Sequence, residues 1–171
     1  MVAENENQIA LRMWIMAGLK IPEVCNLKGD AGYLLNNMIA KYTLFADHYS
    51  ISKAAFQKLK KDRVNLNEIH IRRKFYGKTK PFMYEHSIPA TIIRTEMIQS
   101  DKSVTTIKKI LKQAGKVALI LRTEDKMLKD AKLAWKMPPG WKLGDDPEAR
   151  YKAVGIQISG KLLRVGGAVV R

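Results

Sequence analysis

Two short stretches of the chain bring together side chains that could do chemistry. In Tyr84-Glu85-His86-Ser87-Ile88-Pro89 a carboxylate precedes an imidazole directly. A histidine with a pKa of about 6.5 can accept a proton at neutral pH, and a neighbouring carboxylate can bind a hard cation that offsets charge building on a phosphate. The second stretch, Glu124-Asp125-Lys126, follows the apolar run Val117–Leu121. Its two carboxylates are candidates for Mg²⁺ or Mn²⁺, although acids at this point also suit the first turn of a helix.

A strongly basic run leads up to the first stretch. Residues 53–80 hold Lys53, Lys58, Lys60, Lys61, Arg63, Arg72, Arg73, Lys74, Lys78 and Lys80 against only Asp62 and Glu68. Phe75 and Tyr76 lie among these cations, so the run offers phosphate contacts and stacking surfaces together. We expect Lys58, Lys60, Lys61, Arg63, Arg72, Arg73, Lys74, Tyr76, Lys78 and Lys80 to contact nucleic acid. The alternatives are a solvated face or a dock for an acidic protein.

The pattern Glu85-His86-x-x-Pro89 resembles the first strand of the HNH, or ββα-metal, nucleases. The resemblance implies a metal-dependent endonuclease in which His86 is the general base. Glu85, with Asp125 or Glu124 on a following helix, would hold one divalent cation. It covers roughly residues 80–130 and departs from the family in three ways. The Asn-rich second strand is missing, a carboxylate stands where the family has His or Asn, and a long, largely helical insertion separates the two halves. Glu124-Asp125-Lys126 is also similar to the Glu-x-Lys half of the restriction-endonuclease-like core, for which Glu85 or Glu96 would supply the upstream carboxylate. Two rival readings stay open. One is a non-catalytic DNA- or RNA-binding protein, regulatory or architectural. The other is a metal-independent enzyme on nucleic acid, an RNase toxin or a DNA glycosylase, using His86 with Tyr84 or Lys80.

Positioning these residues requires a mixed architecture. The first sixty residues read as helical: Ile9, Met13, Met16 and Leu19, then Leu34, Leu35, Met38, Ile39, Tyr42 and Phe45, recur at helical spacing, with Ser50 or Ser52 capping a third helix. Strands are expected near 82–88 and 116–122, and helices over Ile92–Ile98 and Val104–Ala114. Another should be capped by Thr123 and ended by Met137-Pro-Pro-Gly-Trp, and a last one should start at Asp146-Pro147 and close at Gly155. The tail from Ile156 suggests edge strands or a hairpin. These elements predict an α+β fold, with a helical subdomain over 1–62 and an α+β nucleic-acid-binding and catalytic domain over 63–171. Trp14 is assigned to the core, Trp135 and Trp141 to pinning the proline loop, although an exposed tryptophan there could stack on a base, and Arg150 and Tyr151 to a solvated helix face, with phosphate contact as the alternative. His48 and His70 lack metal-ligand spacing.

The totals agree with a polyanionic partner. With 31 Lys and Arg against 16 Asp and Glu the chain carries +15, well beyond the net charge of about 2–8 common for small domains, and such a field attracts phosphate polymers before any specific contact forms. No membrane span or signal-peptide pattern is evident, so the expected location is the cytoplasm. The single cysteine, Cys25, excludes an internal disulfide and a multi-cysteine zinc site.

Overall fold

The computed structural model describes residues 4–26, 31–46, 48–64, 81–114, 116–164 and 169–170. In chain order the elements are α1 (Glu6–Gly18), α2 (Pro22–Cys25), α3 (Ala31–Leu44), β1 (His48–Ser52), α4 (Lys53–Lys61), β2 (Phe82–His86), α5 (Ala90–Gln99), α6 (Val104–Ala114), β3 (Val117–Leu121), α7 (Arg122–Asp130), α8 (Ala149–Ala153), β4 (Ile158–Arg164) and β5 (Val169–Val170). The fold is α+β. None of the described helices is long and apolar enough to cross a membrane.

The strands form one mixed sheet in the order β2-β3-β1-β4-β5. β1 and β3 run parallel, while β2, β4 and β5 pair antiparallel with their neighbours. β3 reads Val-Ala-Leu-Ile-Leu because both of its faces are covered. Val117 and Leu119 pack with Tyr49, Ile51, Phe82, Tyr84 and Leu163 against Ala55 and Leu59 of α4. Ala118 and Ile120 pack the opposite way, with Leu128 of α7 and Tyr151 of α8. The other helices form a third cluster, where Ile15, Leu35, Ile39, Tyr42, Ile93, Met97, Ile107 and Leu111 meet.

Three sequence expectations change, and the choice between Ser50 and Ser52 is decided. The first sixty residues are not all helix, because β1 lies among them and occupies the middle of the sheet, between β3 and β4. The stretches 1–62 and 63–171 therefore share one sheet. Ser52 rather than Ser50 caps α4, its Oγ accepting the Ala55 N–H at 3.0 Å while the residue also ends β1. Thr123 caps nothing: α7 starts at Arg122, and the Glu124 carboxylate accepts the Leu121 N–H at 2.8 Å. That helix stops at Asp130, well before the proline loop, with Lys132 in the left-handed region at φ 59°. At the tail, where the sequence leaves edge strands, a hairpin or a poorly ordered end open, the described residues form the antiparallel strands β4 and β5.

Two features hold α3 in place. Leu35, Ile39 and Tyr42 give it a buried stripe. At its start Gly32 is buried, and the Arg94 guanidinium of α5 donates to the Gly32 carbonyl at 2.8 Å. A Cβ at position 32 would stand 2.9 Å from the Asn26 carbonyl oxygen and 2.7 Å from Arg94 Nη1. Only glycine permits this approach.

Candidate functional site

Three of the chemistry-bearing residues of the two stretches, Glu85, His86 and Asp125, meet in one cleft of about 390 Å³. Glu85 and His86 come from the end of β2, and Asp125 and Lys129 from α7. One face of α3 supplies Tyr33, Asn36, Asn37 and Ala40, and the segment after α7 supplies Trp135. The topology explains the meeting. β2 and β3 pair antiparallel, with Glu85 opposite Ala118 and His86 opposite Val117, and α7 follows β3 without a break and packs on both strands. Asp125, in the first turn of that helix, is thereby brought back to Glu85. Neighbouring strand residues point to opposite faces, yet Glu85 and His86 both reach the cleft because β2 ends there and α3 closes over the end.

His86 is largely enclosed. Its Nε2 lies 3.4 Å from the Ala40 carbonyl oxygen, and burial, the dominant influence, lowers its pKa below the ordinary histidine value. A proton on Nε2 matches the carbonyl, which leaves Nδ1 of a neutral ring as the acceptor. Glu85 is shifted the other way. Burial raises its carboxyl pKa and the nearby Asp125 charge adds to that, against the opposing pull of Arg150. Asp125 is buried and paired with Lys129, Oδ2 to Nζ at 2.6 Å.

Arg150, assigned from the sequence to a solvated helix face, is fully buried, as is Tyr151. Its Nε donates to the Ser87 carbonyl at 3.0 Å, and Nη1 donates to those of Leu133 at 2.9 Å and Ala134 at 3.0 Å. Nη2 donates to Glu85 Oε1 and to the His86 carbonyl, and the Tyr151 hydroxyl donates to the Glu85 carbonyl at 3.2 Å. One guanidinium thus ties the end of β2 to the segment that carries Trp135. Nothing in the local sequence signals this, since all five acceptors lie far along the chain.

Glu124 does not join the cleft. Its Oε2 accepts from Ser52 Oγ at 2.6 Å and from the Leu121 N–H, a structural post that locks α7 to the start of α4. Lys126 pairs with Asp130 in solvent at 2.6 Å, so Glu124-Asp125-Lys126 does not act as a cluster. Two tryptophans also depart from expectation. Trp14 is 66% exposed and Trp135 74% exposed, whereas Trp141 does pin the proline loop, its Nε1 donating to the Asp146 carbonyl at 2.9 Å.

Among the basic residues, Lys58 pairs with Asp62 at 2.6 Å. Lys60 and Lys161 both lie over the Phe56 ring, 5.0 and 5.2 Å from its centroid. Lys61 and Arg63 are exposed. Arg72, Arg73, Lys74, Tyr76, Lys78 and Lys80 lie outside the described residues, as does His70.

Among the described residues no three His, Cys, Asp or Glu side chains gather as a metal site would need. The cleft instead offers two carboxylates, Glu85 and Asp125, each bonded through one oxygen to a cation. That donor set fits Mg²⁺, which commonly takes one or two carboxylates and fills its other positions with water and phosphate oxygens. It falls short of a zinc site, which takes three or four protein ligands drawn from Cys, His and carboxylates. No protein-family model matches the chain, and no curated protein or solved structure matches it.

Proposed function

We propose that this cleft cleaves the phosphodiester backbone of nucleic acid, with DNA as the expected polymer. His86 acts as general base, and Glu85 with Asp125 holds a divalent cation, Mg²⁺ or Mn²⁺. The observation that carries the reading is the convergence of Glu85, His86 and Asp125 on one cleft. The antiparallel pair β2 and β3 followed by α7 supports it, since a strand pair and a helix also form the ββα-metal motif, here with α5 and α6 inserted between the strands. The +15 charge of the chain supports a polyanionic substrate. We place this activity in the cytoplasm.

Each group has a task its surroundings favour. The neutral His86 ring accepts the proton of an attacking water, and its contact with Ala40 fixes the ring so that Nδ1 is the free acceptor. A cation, when bound, would neutralise charge developing on the phosphate. Lys129 stands beside Asp125 as a further positive group for the phosphate, and Arg150 holds Glu85 and the strand end in place.

A second reading has its own observation. The carboxyl of Glu85 and the imidazole of His86, adjacent in the chain, are shifted in opposite directions, which suits a general acid working with a general base. Both carboxylates of the cleft are also already matched by cations. Such a site would cleave without metal.

The test is incubation of plasmid DNA and structured RNA with the wild-type protein, His86→Ala and Asp125→Asn, in Mg²⁺, Mn²⁺ and EDTA. Cutting that requires the cation and falls about 10²–10⁴-fold in His86→Ala is the expected result. Cutting that survives EDTA moves the function to the second reading. Tight, salt-sensitive binding with no cutting in any condition retires both in favour of a nucleic-acid-binding module.

A further inference from the structure

The side of the cleft away from the carboxylates carries a different kind of chemistry. Tyr33, Asn36, Asn37 and Ala40 recur at intervals of three and four residues, so they form one stripe along α3, and all four line the cleft. At the far end of the stripe Tyr33 is 66% exposed, and Trp135 on the same cleft is 74% exposed. A single exposed apolar residue is ordinary on a protein surface, but two large rings bordering one cleft offer a ligand an apolar surface. Here two of them border a cleft that already holds phosphate-directed groups. Between them and His86, the Asn36 side-chain oxygen is buried and has no hydrogen-bond partner among the described residues, although buried acceptors are ordinarily satisfied.

We infer that Tyr33 and Trp135 form a stacking platform for an unpaired nucleobase, and that Asn36 accepts a hydrogen bond from that base's exocyclic amino group. The substrate of the cleft is then a single-stranded or locally opened segment. The inference rests on the proposed function only for the partner being nucleic acid.

The distances on α3 set the register. From Tyr33 to Ala40, whose carbonyl faces His86, the helix rises about 10 Å, which matches two to three stacked nucleotides at about 3.4 Å each. The recognised base therefore lies within about three nucleotides of the phosphate at His86. A duplex keeps its bases paired and stacked inward and cannot present one to both rings. Trp135 is held in place by Arg150 through the carbonyls of Leu133 and Ala134, so the platform is built on the same buried guanidinium as Glu85. An acceptor at Asn36 favours bases with an amino group, such as cytosine, over thymine, which presents carbonyl oxygens there.

The test is binding by fluorescence anisotropy, in EDTA so that metal-dependent cutting is absent. The probes are labelled twelve-nucleotide oligo(dC), oligo(dT) and a mixed-sequence duplex of the same length. Trp135→Ala should weaken oligo(dC) binding about tenfold, with Trp135→Phe restoring most of it. Duplex binding should change by less than about twofold, and the salt dependence should stay as it was, because stacking releases no counterions. Oligo(dC) should bind more tightly than oligo(dT), and Asn36→Ala should remove the difference. Equal losses on single strand and duplex, or no loss in Trp135→Ala, overturn the platform. Equal wild-type affinity for oligo(dC) and oligo(dT) overturns the role of Asn36. A platform effect without cutting in any metal or in EDTA sinks both cleavage readings and leaves this inference standing. Wild-type protein that binds none of the probes sinks both.

Discussion

Replacing Arg150 with methionine should be among the most damaging single changes in the described fold. The side chain is fully buried and donates to four carbonyls, those of His86, Ser87, Leu133 and Ala134, as well as to the Glu85 carboxylate. Methionine keeps comparable apolar bulk, so the loss isolates the bonds and the charge. An orphaned buried acceptor costs about 1–3 kcal/mol, but only the Ser87 bond is fully enclosed and water can relieve part of the rest. Breaking a buried ion pair from one side costs about 3–5 kcal/mol, and we expect a total in that range, out of the roughly 5–15 kcal/mol that holds a domain together. With a urea dependence of about 2 kcal/mol per molar, the unfolding midpoint followed by circular dichroism should fall by roughly 1.5–2.5 M. The loss also has a pH signature. Without Arg150 the Glu85 carboxyl, already raised by burial, rises further above its unfolded value. A carboxyl raised on folding leaves stability intact below its unfolded pKa and erodes it as pH climbs through the folded one. The variant should therefore be closer to wild type at pH 5 than at pH 8. Arg150→Lys should fall between the two, since a point charge with three donors cannot serve acceptors on both sides. A midpoint shift below about 0.5 M at pH 8, which is about 1 kcal/mol, would refute the assignment of Arg150 as the tie between β2 and the Trp135 segment.

Three further outcomes are expected. Ser52→Ala should cost about 1–3 kcal/mol, because the hydroxyl both caps α4 and donates to buried Glu124. Glu124→Gln should likewise lower the melting temperature while leaving any metal requirement for cleavage unchanged, whereas loss of cleavage at full stability would make Glu124 a ligand after all. For His86, whose pKa is lowered by burial, the unfolded chain binds the proton more readily, so stability is lost as pH falls through about 6.5. Between pH 7.5 and 5.5 the wild type should lose up to about 1.4 kcal/mol relative to His86→Asn, measured by urea unfolding. A gap that does not change with pH would mean that the imidazole is not held neutral.

What the sequence by itself determined was local. Apolar spacing located α3, α5, α6 and β3, because a buried stripe leaves its period in the chain. The same period runs through Tyr33, Asn36, Asn37 and Ala40, but polar residues beside an apolar stripe carry no signal of what they face. Glu85-His86 and Asp125 stood out as chemistry-bearing types without any sign of which would meet. Tertiary structure decided the rest, and in each case the deciding energy comes from residues distant in the chain. β1 is five residues wedged between two helices, and it is a strand because β3 and β4 flank it and satisfy its backbone. Glu124 and Asp125 are neighbours of the same charge. Their separation into a structural post and a cleft carboxylate follows from a helix turning successive side chains by about 100°, which sends one toward Ser52 and the other toward Glu85. Arg150 looked like a surface cation because its local sequence is that of a short polar helix. It is buried because five acceptors from two separate segments converge on it, and no local pattern encodes such a convergence.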